Sequence, residues 1–187
     1  VALTLMKKIH AWLAAILLAA GLGLVTPSMA SAAPYCGQVW GSLAKTSAAM
    51  SAASVFNVRT GQHTCFDRLV VDINGPAGGY NVQYVSVVTE DASGRPVPLR
   101  GGAFLQVVVH ANDYDINTGL PTYSPSNKNE LANVSGYQTF RQVAFAGGFE
   151  GYTRLGLGVR ARLPFRVFTL AGPGTGSRLV IDVAHRW

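Results

Sequence analysis

A chain of 187 residues, 49% apolar and 13% charged, has the length of one domain with a substantial core and needs no second one. Its formal charge of +6 comes from 15 basic and 9 acidic residues that form no basic block. A nucleic-acid-binding arm is thereby excluded, leaving a mildly basic, solvated surface that can meet an anionic wall polymer or membrane.

The first segment reads as an export signal. Lys7 and Lys8, after a plausible start at Met6, precede an apolar run from Ala11 to Val25, too short and too rich in small residues for a membrane span. Thr26-Pro27-Ser28 ends the run, and Ala30-Ser31-Ala32 supplies the small residues a signal peptidase accepts. Cleavage is expected after Ala32, with Ala33 as the alternative, giving a secreted or wall-associated product without a transmembrane anchor. Ala33-Pro34-Tyr35 before Cys36 is not the pattern of a lipid-modified cysteine. The expected division is a signal peptide over 1–32, an N-terminal segment over 33–54 and a β-domain over 55–187.

Cys36 and Cys65 are the only cysteines, and an oxidising compartment joins such a pair. The bridge is expected to pin the 33–54 segment onto the first core strand, with a loop-entropy stabilisation of roughly 3–4 kcal/mol. A paired cysteine has no free thiolate, which argues against a catalytic thiol. Ser47 to Ser54 reads as an irregular surface stretch. Val55 to Arg59 alternates as a strand, and Thr60-Gly61-Gln62-His63 turns it into the next one.

That next strand is written twice: Arg68-Leu69-Val70-Val71-Asp72-Ile73 recurs as Arg178-Leu179-Val180-Ile181-Asp182-Val183. Alternate side chains of a strand face opposite ways, so Leu69, Val71 and Ile73 form a core face, as do Leu179, Ile181 and Val183. Arg68, Val70 and Asp72, and their counterparts, lie on the other face. Asp67 shares the inward phase, so it either pairs with an Arg, Tyr or His near the end of the sandwich or frays into solvent.

Further strands are expected over 80–85, 103–111, 140–145, 152–159 and 165–170, separated by turns such as Asn74 to Gly79, Glu90 to Pro96 and Gly172 to Gly176. Short strands with Gly/Pro turns and no amphipathic helix define an all-β domain, a single antiparallel β-sandwich or flattened barrel. Asn112 to Gly136 breaks the pattern with Asn, Asp, Pro, Ser, Gly and Tyr. Long connections in compact domains are functional or mobile. Tyr114, Tyr123 and Tyr137 are candidates to stack on sugar rings, with Asp113, Asp115 and Asn117 as hydrogen-bonding partners. Shortening this segment is expected to leave stability nearly unchanged.

Val39-Trp40-Gly41-Ser42, the run Arg59 to Asp72, Gly79 to Val85, Gly148-Phe149-Glu150-Gly151 and the closing Arg178 to Val183 occur in this order, and together they make the chain resemble the AMIN-like domain proteins exported by actinobacteria. Those are in turn similar to AMIN domains, β-sandwich modules that target amidases and secretin pores to the envelope and in several cases bind peptidoglycan. The resemblance implies a non-catalytic envelope module whose partner is a cell-wall polymer such as peptidoglycan, or an envelope protein. It carries over no catalytic residue.

The residues themselves agree. Gly-x-Ser-x-Gly, His-Glu-x-x-His and a phosphate-cradling loop are absent from the sequence. His63, His110 and His185 fall on different strands, so no triad is legible and no enzyme is expected. His110 to Asp115 collects oxygens without the EF-hand pattern, so neither metal nor cofactor is expected. Glu150 is either a ligand-facing acid or an acid near a strand start, the second being preferred. The competing function is a secreted protein-interaction module that docks through a strand edge or the long connection.

Overall fold

The computed structural model describes residues 34–187. The expected signal segment and its cleavage site after Ala32 lie outside the described residues. The strands among the described residues are β1 Lys45–Ser47, β2 Ser54–Gln62, β3 Phe66–Asn74, β4 Tyr80–Val85, β5 Val88–Thr89, β6 Pro96–Val97, β7 Ala103–Val109, β8 Phe140–Phe149, β9 Tyr152–Val159, β10 Phe165–Ala171 and β11 Ser177–Ala184. They form a five-stranded sheet, β1-β4-β7-β9-β8, a four-stranded sheet, β10-β11-β3-β2, and a small β5-β6 hairpin, with every strand pair antiparallel. Neither sheet closes on itself, so the fold is a sandwich and not a barrel. No helix among the described residues is long and apolar enough to cross a membrane.

Strand alternation builds the core between the two larger sheets. Leu69, Val71, Ile73, Leu179, Ile181 and Val183 meet Val82, Leu105, Val107, Leu155 and Leu157 from the opposite layer, all buried. Each such side chain contributes about 1.5–3 kcal/mol by leaving water. The duplicated strands β3 and β11 are adjacent and antiparallel, with Val70 opposite Val180, Arg68 opposite Asp182 and Asp72 opposite Arg178. Reversing one copy of a motif with Arg first and Asp fifth sets opposite charges across from each other. The outward face of this pair departs from expectation. Val70 and Val180 are buried, at 5% and 1% exposure, between the longer side chains around them, so their outward phase does not leave them in solvent.

Asp67 points inward and is fully buried. Its carboxylate accepts the backbone N–H groups of Thr139 (2.6 Å) and Phe140 (3.0 Å) on one oxygen, and the other lies 3.1 Å from His185 Nε2. The expected partner is therefore a histidine, and the three contacts tie β3, the start of β8 and the C-terminal segment together. Cys36 and Cys65 form a disulfide with Cα atoms 6.4 Å apart. Trp40 packs beside both Tyr35 and Phe66, which fixes the segment ahead of β1 onto β3.

The 112–136 connection contains no strand and has a structural job that its composition hides. β8 is the edge of the five-stranded sheet, and the connection covers it. Phe145 N–H donates to Lys128 O (2.7 Å), and Leu131 N–H donates to Val143 O (2.9 Å). Val134 is buried, and Tyr123, Leu131 and Tyr137 pack on the core. The expectation that this length is dispensable for stability is thereby corrected: it satisfies edge backbone groups that would otherwise invite pairing with another chain.

Candidate functional site

The six connection residues proposed from sequence do not converge on one surface. Tyr123 sets its ring edge-on to Phe145 (5.6 Å between centroids), and burial pushes its hydroxyl up to about 12. Tyr137 stacks on Phe140 at the far end of β8 and shares a 3.1 Å hydrogen bond with Thr60 Oγ1. Both rings are engaged in packing. Asp113, Tyr114, Asp115 and Asn117 share one tight turn: Asp115 Oδ1 accepts the N–H groups of Asn117 (2.7 Å) and Thr118 (3.3 Å), and Tyr114 bridges to Pro121. Asp113 is half-buried, and desolvation raises its carboxyl above the usual range. It sits where a Cβ at Gly148 would fall, so the start of the connection abuts the β8–β9 turn.

That turn closes a cleft of about 400 Å³ on the outer face of the five-stranded sheet. With Val82, Leu105, Val107 and Leu155 committed to the core, their neighbours Asn81, Gln106, Val108 and Arg154 face outward. The β5–β6 hairpin covers one part of this face, where Gly156 leaves room for Leu99 and Val88. The remainder is open. Asn81, Gln106, Val108, Tyr152 and Arg154 form its floor and sides, with His110 beside them. Asp91 of the hairpin, together with Phe149 and Glu150 of the β8–β9 turn, forms its rim. Glu150 holds a left-handed backbone conformation, φ 48°, at the tip of that turn.

The hydrogen bonding inside the cleft is incomplete. Arg154 reaches Asp91 Oδ1 (3.0 Å) and Thr89 O (3.4 Å) with its terminal nitrogens. Its Nε and the Oδ1 of Asn81 are buried without a partner. One is a donor and the other an acceptor, and a buried polar atom left unpaired costs about 1–3 kcal/mol. Tyr152 stands edge-on to His110 at 5.1 Å, and His110 Nδ1 donates to Ala49 O (3.0 Å). Phe149 is 46% exposed at the rim. Two aromatic rings, an unpaired donor and an unpaired acceptor suit a ligand with apolar C–H faces and groups that both give and accept hydrogen bonds. Sugar hydroxyls and N-acetyl amides are such groups. No cluster of three or more potential metal ligands occurs among the described residues.

The cleft is not legible along the chain, because its residues come from β4, β7, β9 and two turns. The usable signal was the outward phase, in which Asn81, Gln106, Tyr152 and Arg154 alternate with core residues.

Together, the two antiparallel sheets and the cleft on the outer face of one of them define a β-sandwich module. Residues 53–185 match the AMIN-like domain, and the chain belongs to that family. AMIN-like domains are non-catalytic targeting modules, and membership points to an envelope-associated role. Neither the curated proteins nor the solved structures contain a match to the chain.

Proposed function

We propose that this protein is an exported, non-catalytic envelope module that binds a cell-wall glycan, most directly peptidoglycan, in the cleft between Asn81, Tyr152, Arg154 and the β8–β9 turn. The observation that carries the reading is the pair of buried, unpartnered atoms of opposite hydrogen-bonding sense, Asn81 Oδ1 and Arg154 Nε, in the same cleft as the rings of Tyr152 and Phe149. A hydroxyl is at once donor and acceptor, so a glycan hydroxyl that enters as the Asn81 and Arg154 side chains shift can serve either atom, and a pyranose C–H face packs on an aromatic ring. With the charge of Asp91 met by Arg154, Glu150 on the rim leaves the cleft without a net positive charge, which suits a neutral sugar better than a polyanion. The Cys36–Cys65 disulfide supports an oxidising compartment, in keeping with the Lys7-Lys8 signal and cleavage after Ala32.

In this reading Asp113 acts as a frame. Packed where a Gly148 side chain would lie, it sets the position of Phe149 and Glu150. Sedimentation with purified, insoluble peptidoglycan tests the proposal. The wild-type protein should co-sediment, and Tyr152→Ala and Asn81→Ala should each weaken retention about tenfold, near 1.4 kcal/mol, with unchanged melting. Equal retention of all three proteins would contradict it. A wild type that never sediments would favour the protein-docking alternative.

A further inference from the structure

The outer face of the four-stranded sheet carries a second arrangement, remote in chemistry from the glycan cleft. Strand register lays its outward residues out in rows. Leu170, Arg178, Asp72 and Asn57 form one, Phe168, Val180, Val70 and Arg59 the next, and Arg166, Asp182, Arg68 and Gly61 the third. Four arginines face two aspartates. Asp182, wholly buried, accepts from Arg68 through Nε (2.6 Å) and Nη2 (2.8 Å), and from Arg166 Nε (2.8 Å). Asp72 accepts from Arg59 through Nε (2.8 Å) and Nη2 (2.9 Å), and from Asn57 Nδ2 (2.9 Å).

Arg178 is left over. It stands opposite Asp72 in register, yet both carboxylate oxygens there are taken from the other side. Its Nη2 donates to Ala171 O (3.1 Å), and its Nε is buried with no partner. That N–H is enclosed by the protein, so it is the terminal nitrogens of a guanidinium without a carboxylate partner that remain to meet an anion. Beside it lies a depression of about 230 Å³, floored by Val70 and Val180, with Arg59, Arg68 and Arg178 among its walls and His63 on its rim.

We propose that this depression binds a phosphate-class oxyanion, with Arg178 as the primary ligand and Arg59 and Arg68 as flanking donors. The pattern of charge selects the class. Arg59, Arg68 and Arg178 come from three different strands and approach from different sides. That suits a tetrahedral anion with several oxygens better than a planar carboxylate, which one guanidinium fork can fill. The apolar floor excludes water from beneath the anion and strengthens each contact. Phosphate groups are carried by free metabolites and by lipid headgroups, and the depression recognises what both share.

The test is a titration of the oxidised protein with inorganic phosphate at constant ionic strength, followed by backbone amide NMR, with chloride as the control. The expected result is a saturable shift confined to the amides around Val70, Val180 and Gly61. In Arg178→Gln the affinity should fall at least tenfold. Arg178 holds no ion pair among the described residues, so that variant should melt with the wild type, and phosphate should raise the wild-type Tm but not the variant's. Retention on peptidoglycan should be untouched by Arg178→Gln, which separates failure here from failure of the glycan reading. Sedimentation with phosphatidylglycerol vesicles against phosphatidylcholine vesicles identifies the source. Selective binding that inorganic phosphate competes away assigns a lipid headgroup, whereas phosphate binding without vesicle binding assigns a soluble phosphate. Shifts that do not saturate, that spread over the whole molecule, or that survive unchanged in Arg178→Gln would overturn the proposal.

Discussion

Replacing Asp67 probes the join between β3, the start of β8 and the C-terminal segment. In the wild type one carboxylate oxygen takes the N–H groups of Thr139 and Phe140, both buried residues, while the other faces His185 Nε2. Asp67→Ala strands two backbone donors where water has no access, at about 1–3 kcal/mol each, and removes the histidine's partner as well, so a loss of about 3–5 kcal/mol is expected. Asp67→Asn keeps an oxygen for the two amides but loses the strength that a charged acceptor gives, and should cost about 2 kcal/mol. Urea denaturation reads both values through the midpoint at constant m. In thermal melts, at about 2–4 °C per kcal/mol for a domain of this size, the alanine variant should melt some ~10 °C lower. A loss below about 1 kcal/mol in Asp67→Ala would mean that water or another group already serves those amides and that the carboxylate does not hold the join.

Val71→Asp or Ile181→Asp, each placing an unpaired charge in the core, should abolish the cooperative unfolding transition. Val70→Thr and Val180→Thr should cost about 1–2 kcal/mol and not be silent, since both valines are buried on the outer face; calorimetry separates the two classes. Replacing 114–135 by a short Gly/Ser linker should lower Tm by more than 10 °C and promote self-association, visible by light scattering, because the β8 edge and the contacts of Tyr123, Leu131 and Val134 are lost. Asp113 has a carboxyl that burial raises in the folded state, so the fold binds that proton more tightly than the unfolded chain does. Its contribution is therefore fully present below the unfolded pKa and lost as pH rises through the folded one. Asp113→Asn should gain stability relative to wild type as pH climbs through that window and hold a constant difference above it.

Much of the scaffold is legible in the sequence because β-strands reveal their burial with period two. Leu69, Val71, Ile73 and the corresponding Leu179, Ile181 and Val183 are all core residues, and the inward phase of Asp67 led to a buried carboxylate with a histidine partner. The short β1, β5 and β6 were not legible, as two or three residues carry no periodicity. The edge-covering role of the 112–136 connection is hidden in the sequence for a related reason. Its apolar anchors, Tyr123, Leu131 and Val134, follow no repeat and are outnumbered by the Asn, Ser and Pro that make its turns. The cleft was hidden by distance along the chain: Asn81 and Arg154 are neighbours only because β4, β7 and β9 lie side by side. The depression at Arg178 was half visible. The repeat announces alternating Arg and Asp, but only the structure shows that Arg59, from outside the repeat, takes Asp72 and leaves Arg178 without a carboxylate.

Whether a cell-wall glycan sits on the outer face of the five-stranded sheet is read by amide and side-chain NMR during titration with a soluble peptidoglycan disaccharide-peptide. A glycan in the cleft gives saturable shifts at Asn81 Nδ2, Arg154 Nε, His110 and Tyr152, all lost in Tyr152→Ala. Shifts confined to the 112–136 connection or to the four-stranded sheet, or no shifts at millimolar fragment, would contradict it.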